Sequence, residues 1–208
     1  LAKWNKYLER SPDSARVHIQ AGLANLHLGE MQAAADHFSI AVDIEPQNGR
    51  GWYELSRVNL LRGDLTSCRR AMRKARALMP REAKIAVLAG DIELALQRFE
   101  PAETEYRTAL QLSPEHEKAM IRLAICLVAQ GKEQNAERVY SRLERNNPHQ
   151  PLILLSMADY WMLRGEAQQA TRILHKGLGL HPDVLLFAQR LAEWFFDSRR
   201  YAKAESYV

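Results

Sequence analysis

Four basic residues recur at one fixed spacing, and their charge is the first sign of binding chemistry in this chain. They lie 34 residues apart and are Arg16, Arg50, Lys84 and Lys118. Cationic side chains at a regular spacing suit an acidic protein segment or an anionic polymer. The whole chain has 29 Lys and Arg against 25 Asp and Glu. This small excess falls short of the clustered basic surface of a nucleic-acid-binding protein, so we expect no nucleic-acid partner.

The histidines and cysteines form no pattern that holds a metal or activates a nucleophile. No His-x-x-x-His or Cys-x-x-Cys is present, and His116-Glu117 lacks the second histidine of a zinc-binding helix. Cys68 and Cys126 are expected to be buried and unpaired. No serine or cysteine has the sequence setting of a nucleophile motif, although a triad assembled through space stays open at this stage. We therefore expect no enzyme activity, no metal and no cofactor.

Prolines and glycines at the same spacing indicate which elements position these residues. The prolines, which recur every 34 residues, are Pro12, Pro46, Pro80, Pro114, Pro148 and Pro182. The glycines near the middle of most repeats are Gly29, Gly63, Gly131 and Gly165. Proline cannot continue a helix, and glycine tolerates the left-handed conformation at a helix end. Each repeat is therefore predicted to form two helices of roughly 12 to 14 residues.

Two columns of small residues predict how the two helices of a repeat pack. With position 1 at Ala15 and every 34 residues after it, position 8 reads Gly22, Ser56, Gly90, Ala124, Ala158 and Ala192. Position 20 reads Ala34, Cys68, Ala102, Ala136, Ala170 and Ala204. Small side chains in both helices allow their backbones to cross closely. We expect a larger residue at either column to disrupt the packing.

This pattern resembles the tetratricopeptide repeat (TPR), over nearly the whole chain. The second repeat carries the resemblance most fully, in Trp52, Leu55, Ser56, Gly63, Cys68, Ala75 and Pro80. The resemblance implies an all-α fold, a right-handed α-solenoid of antiparallel helix pairs. Gln97 and Arg199 stand where the other repeats have the turn glycine. Leu143 and Gly177 stand where the first three repeats have Ala41, Ala75 and Ala109. These departures affect local geometry and not the fold class.

The repeats are expected to form one continuous superhelix without a linker. The predicted segments are helix B of a preceding repeat at 1–11, complete repeats at 15–48, 49–82, 83–116, 117–150 and 151–184, and an incomplete repeat at 185–208. Trp4 and Trp194 lie near the two ends, where the terminal repeats of a solenoid normally carry polar faces. We therefore expect a piece of a longer array, with dimerising or disordered ends as the alternatives.

In the resembled fold, the first helices of the repeats line a concave groove, into which positions 2, 5, 6, 9, 12 and 13 point. The residues there that we expect to bind a partner are Arg16, Arg50, Tyr53, Arg57, Lys84, Asp91, Lys118, Arg122, Asp159 and Glu193. They predict a groove that is basic in its N-terminal half and acidic toward its C-terminal end. An apolar seam runs between the charges, formed by Ile19, Leu23, Tyr53, Val87, Ile121, Ile125 and Leu155. Such a groove suits an extended or helical peptide, although the seam could instead pack between neighbouring helices.

The sequence thus predicts a non-catalytic scaffold with a protein partner. Its undecorated repeats resemble the periplasmic TPR regions of bacterial exopolysaccharide exporters, such as those of the Pel, cellulose and poly-N-acetylglucosamine systems, with Pel the preferred example. This resemblance implies a role in modification and export of the biofilm matrix, recruitment of a polysaccharide-modifying enzyme and contact with the polysaccharide.

Two alternatives remain open at this point. One is a cytoplasmic TPR adaptor, or the targeting arm of an enzyme outside this sequence. The other is direct binding of an anionic polymer in the basic half of the groove. No apolar run is long enough to span a bilayer, so this segment is not expected to cross a membrane. The export resemblance favours the periplasm as the compartment, with the cytoplasm next.

Overall fold

The structure, a computed structural model, describes Ser11, residues 13–199 and residues 201–207. Every regular element in this part of the chain is a helix. In chain order, α1 to α12 are Ala15–His27, Met31–Ile44, Gly49–Leu61, Leu65–Leu78, Ala83–Ala95, Phe99–Leu112, Glu117–Ala129, Glu133–Asn146, Pro151–Leu163, Ala167–Leu180, Leu185–Asp197 and Tyr201–Glu205. Apart from Ser11, the helix predicted at residues 1–11 lies outside the described residues.

The helices have the lengths and the pairing that the repeat predicts. Each odd-numbered helix has 13 residues and begins at position 1 of a repeat, and α2, α4, α6, α8 and α10 have 14 residues. The two helices of each repeat pack against each other, as α1 does with α2 and α3 with α4. The predicted all-α fold of paired helices is confirmed.

The chain forms two compact units, residues 1–114 and residues 115–208. The N-terminal unit contains α1 to α6, and its buried core includes Phe38 and Val58 in one cluster and Met72 and Ile85 in another. The C-terminal unit contains α7 to α12, with a buried cluster that includes Phe187. Each unit therefore has a hydrophobic core of its own, which fixes the positions of its helices.

The turn between the two helices of a repeat keeps one backbone conformation, with or without glycine. Gly29, Gly63, Gly131 and Gly165 have φ values of 79°, 75°, 69° and 74°. Gln97 and Arg199 occupy the same position with φ of 57°. These two departures from the repeat pattern thus leave the turn geometry intact. The left-handed conformation costs a non-glycine residue about 1–2 kcal/mol, which the surrounding helix pair must offset.

Close helix crossings account for the small residues. A Cβ on Gly22 would lie 2.6 Å from Cε1 of Phe38, and Ser56 Oγ lies 3.4 Å from Cys68 Sγ across the crossing in the second repeat. Gly177, which replaces the usual late alanine, is explained by Phe187, because a Cβ at Gly177 would overlap its ring. A bulky aromatic ring in one helix thus packs against a glycine, which has no side chain, in the neighbouring helix.

Two of the chemically reactive residue types have structural roles. His116 is the N-cap of α7, where its Nδ1 accepts a hydrogen bond from Ala119 N at 3.3 Å. Cys68 and Cys126 are both buried, as predicted, and no disulfide joins them. Burial raises the pKa of the Cys68 thiol, so this side chain behaves as a small buried residue and not as a nucleophile.

Candidate functional site

One candidate surface lies in the N-terminal unit, where charged residues of α3 and α5 meet. We call it the Glu54 cluster; it consists of Arg50, Tyr53, Glu54, Arg57 and Lys84. Glu54 is only 7% exposed, and its Oε2 lies 2.8 Å from Arg57 Nη2. Lys84 Nζ lies 5.6 Å from the centroid of the Tyr53 ring. Helical spacing within α3 and the 34-residue step to Lys84 bring these groups to one face.

The buried carboxylate changes the electrostatics of this face. Burial raises the pKa of Glu54, while the positive charges of Arg57, Arg50 and Lys84 oppose that rise. Burial, with the Glu54 charge, also raises the pKa of the Tyr53 hydroxyl. Three cations therefore surround one internal anion, and Lys84 also pairs with Glu82 at 3.8 Å. The net positive charge in the basic half of the predicted groove is therefore smaller than a count of its cations suggests.

The C-terminal unit contains a larger and mostly apolar surface, which we call the apolar groove. It encloses about 800 Å³ between α7, α8, α9 and the start of α11. Its lining includes four exposed aliphatic side chains, which are Ile125 (36% exposed), Leu152 (55%), Leu163 (77%) and Leu186 (43%). Large aliphatic side chains gathered in one depression mark an interaction surface more strongly than the same residues scattered singly.

Polar and aromatic groups border the apolar groove. Lys118, Arg122 and Asp159 line it, as does Arg164, whose Nη1 donates to Tyr160 Oη at 3.0 Å. The guanidinium of Arg164 also lies 5.7 Å from the Tyr160 ring centroid. Burial raises the pKa of the Asp159 carboxyl, against the opposing charge of Arg190. An apolar floor with a charged border is the arrangement of a protein-binding site.

The structure distributes the ten predicted binding residues between the two units, and seven of them lie in the two surfaces. Those in the N-terminal unit are Arg50, Tyr53, Arg57 and Lys84 in the Glu54 cluster, Asp91, which accepts a hydrogen bond from Tyr106 Oη at 2.9 Å, and the exposed Arg16 on α1. Those in the C-terminal unit are Lys118, Arg122 and Asp159 in the apolar groove, and Glu193, whose carboxylate lies 3.3 Å from Arg190.

Some site residues were not predicted, and part of the predicted seam is buried. Glu54 and Leu163 stand at positions 6 and 13 of their repeats, which the resemblance already placed in a groove. Arg164 stands outside those positions, and only the structure brings it to the groove. Ile19 and Val87 are 3% and 2% exposed, so they pack between neighbouring helices, which was the alternative interpretation of the seam.

Neither metal chemistry nor membrane insertion finds support in the described part of the chain. Among those residues, no three His, Cys, Asp or Glu side chains gather closely enough to hold a metal ion. None of the helices described there combines the length and the apolar character needed to cross a bilayer.

Two family profiles described as tetratricopeptide repeat match residues 86–160 and residues 1–49. Cellulose synthase 1 operon protein C of Komagataeibacter xylinus is 23% identical over 177 residues, which cover 79% of this chain and 13% of that protein. The chain thus corresponds to a small part of the length of this relative. The match is distant, and that relative belongs to a cellulose synthase operon.

Solved structures share the fold over most of the chain. Pseudomonas aeruginosa pilF superposes with a TM-score of 0.70 at 26% identity, covering 91% of this chain and 88% of that one. A thermophilic TPR protein of Thermus thermophilus superposes with a TM-score of 0.77 at 19% identity, covering 92% and 98%. The helix pairs, their 34-residue period and the two profile matches agree. This chain belongs to the tetratricopeptide repeat family.

Proposed function

We propose that this chain is a non-catalytic scaffold that recruits a partner enzyme to a bacterial exopolysaccharide modification and export complex. The observation that carries the binding role is the apolar groove, where Ile125, Leu152, Leu163 and Leu186 all expose large aliphatic surface. Exposed apolar area of this kind gains free energy when a partner covers it, at roughly 25 cal/mol per Å² removed from water.

The assignment to exopolysaccharide export draws on sequence similarity. The distant relative in Komagataeibacter xylinus is the product of a cellulose synthase operon. The repeats also lack any added chemical motif, which suits a protein that assembles others. In this proposal the scaffold operates in the periplasm, and its partner is an enzyme that modifies the polysaccharide.

The experiment is affinity capture from the periplasmic fraction and, separately, from the cytosolic fraction of cells that produce the polysaccharide, with identification by mass spectrometry. Wild type is compared with the double variant Leu152→Ser/Leu163→Ser, which removes two apolar contacts of the groove. The matched control is Leu180→Ser/Leu185→Ser, because both leucines are exposed, at 44% and 69%, and lie outside the groove lining. All four changes are on the surface, so the fold should tolerate them.

A polysaccharide-modifying enzyme captured by wild type and by the control, and lost with the groove variant, supports the proposal. Capture that is indifferent to the groove variant contradicts the assigned surface. Capture of cytosolic proteins alone contradicts the export role and favours a general adaptor. Retention of the polysaccharide itself, weakened by salt, favours the alternative of direct polymer binding, because screening acts most strongly on exposed charges.

A further inference from the structure

The N-terminal unit carries a second surface, which the groove prediction did not include. Helix α4 has five basic residues and no acidic one: Arg69, Arg70, Arg73, Lys74 and Arg76. The corresponding helix of the fourth repeat, α8, balances three arginines with three glutamates. The excess of positive charge on α4 is therefore a local feature and not a property of the repeat.

Three of these cations border a cleft. The cleft encloses about 590 Å³ and is formed by α4, the C-terminal half of α5 and part of α6. Arg69, Arg73 and Arg76 line it from α4, and Arg70 and Lys74 do not. The lining of α4 runs from Leu65 to Arg76, which gives the cleft a length of about 16 Å along the helix axis at 1.5 Å per residue.

The floor of the cleft is apolar. Met72, Ala89 and Ile92 line it and are nearly fully buried, and Leu65 and Leu96 line it as half-buried side chains. A ligand that only neutralised charge would leave these leucines in water. The cleft therefore suits a ligand that has apolar side chains as well as negative charges.

The acidic residues of the cleft are already paired. Arg76 Nη2 lies 2.8 Å from a carboxylate oxygen of Glu105, and Arg98 Nη1 lies 3.6 Å from Glu93. In the described part of the chain, Arg69 and Arg73 have no ion-pair partner. They stand four residues apart on one face of α4 and are exposed. The uncompensated charge of the cleft thus consists of two guanidinium groups beside an apolar floor.

We propose that this cleft, the α4 arginine cleft, is a docking site for an acidic amphipathic peptide segment of a protein partner. Guanidinium groups bind carboxylates through paired hydrogen bonds, so Arg69 and Arg73 select glutamate or aspartate. Leu65 and Leu96 cover the apolar side chains of the same segment. A flat anionic membrane or a plain polyanion would use Arg70 and Lys74 equally, and it would gain nothing from a recessed apolar floor.

This surface lies in a different unit from the apolar groove, so the two can be tested separately. The scaffold would then hold one partner through apolar contacts in its C-terminal unit and an acidic segment through its N-terminal unit. Failure of one proposal leaves the other untouched, because their variants share no residue.

The test measures binding of a fluorescent helical peptide with glutamates along one stripe and leucines along the adjacent stripe, by anisotropy at physiological salt. Arg69→Glu/Arg73→Glu is expected to weaken binding by about tenfold or more, the equivalent of losing roughly 1.4 kcal/mol. Arg70→Glu/Lys74→Glu makes the same change in net charge on the same helix. It is expected to weaken binding by less than about threefold, since cations outside the cleft form no paired hydrogen bonds with the peptide and act on it only through a field that salt screens.

Further probes identify the ligand chemistry. A scrambled peptide of the same composition and polyglutamate are both expected to bind several-fold more weakly than the amphipathic peptide. Equal loss in the two double variants would overturn the proposal, because a diffuse positive field would then be sufficient. Polyglutamate binding as tightly as the peptide, or binding only to vesicles containing anionic lipid, would overturn it as well. Circular dichroism of each variant confirms that the helices remain.

Discussion

The substitution Gly90→Ala tests the account of the helix crossings, because it adds one methyl group at a place where there is no space. A Cβ on Gly90 would lie 2.5 Å from Cε1 and 2.8 Å from Cδ1 of Tyr106. Carbon atoms in contact normally stand 3.5–4.0 Å apart, so the ring would have to retreat by roughly 1 Å. Tyr106 is fully buried, and its hydroxyl donates to Asp91 at 2.9 Å, which ties the ring to the same helix.

Two opposing terms determine the size of the effect. Overpacking a filled core typically costs about 1–3 kcal/mol. Alanine is a better helix former than glycine by about 1 kcal/mol, which offsets part of that cost. Because the anchored ring has little freedom to move, we expect a net loss of about 1–2 kcal/mol in the free energy of unfolding. In a protein of this size each kcal/mol lowers the melting temperature by about 2–4 °C.

Urea unfolding followed by circular dichroism measures this loss, and two further variants make the test specific. Gly179→Ala serves as the control because a Cβ there meets nothing within 4 Å, so its stability should be unchanged or slightly raised. The double variant Gly90→Ala/Tyr106→Leu installs the pair found in the fifth repeat, Ala158 with Leu174. It should lose less stability than the sum of its single variants.

Wild-type stability for Gly90→Ala would refute the reasoning, because the crossing would then have room for a methyl group. Strict additivity in the double variant would also refute it, because the cost would then arise outside the contact between Gly90 and Tyr106. Either result would remove the explanation of the small residues at position 8 of the repeat.

Three other outcomes are expected. Ala136→Leu, at a fully buried crossing, should lower the melting temperature through an overpacking cost of about 1–3 kcal/mol. Gln97→Gly should raise stability by up to about 1 kcal/mol in urea unfolding, because it relieves a left-handed φ of 57°. Burial and neighbouring His18 lower the pKa of His37, and its Nδ1 lies 3.1 Å from His18 Nδ1. The unfolded chain therefore binds protons more readily, and stability should fall as the pH drops below about 6.5. His37→Gln should flatten this part of the pH profile.

The sequence by itself determined the helices and their pairing. Proline and glycine act on their own backbone and the adjacent turn, so a 34-residue spacing of these residues places most of the helix boundaries without knowledge of the core. The small columns likewise indicated the close crossings. Even the departures at Gln97 and Arg199 preserved the turn, because the packed helix pair imposes the conformation that glycine favours.

Only the tertiary structure decided what the surfaces present. Ile19 and Ile125 both belong to the predicted seam, yet one is 3% exposed and the other 36%, because neighbouring helices cover the first and leave the second open. The fold also buries Glu54, so that Arg57 and Arg50 of its own helix and Lys84 of the next repeat surround its carboxylate. Exposure and compensation of charge depend on residues one or more repeats away, and a repeat pattern does not specify those contacts. The α4 arginine cleft has the same origin, since α5 supplies part of its floor and Arg76 of α4 pairs with Glu105 of α6.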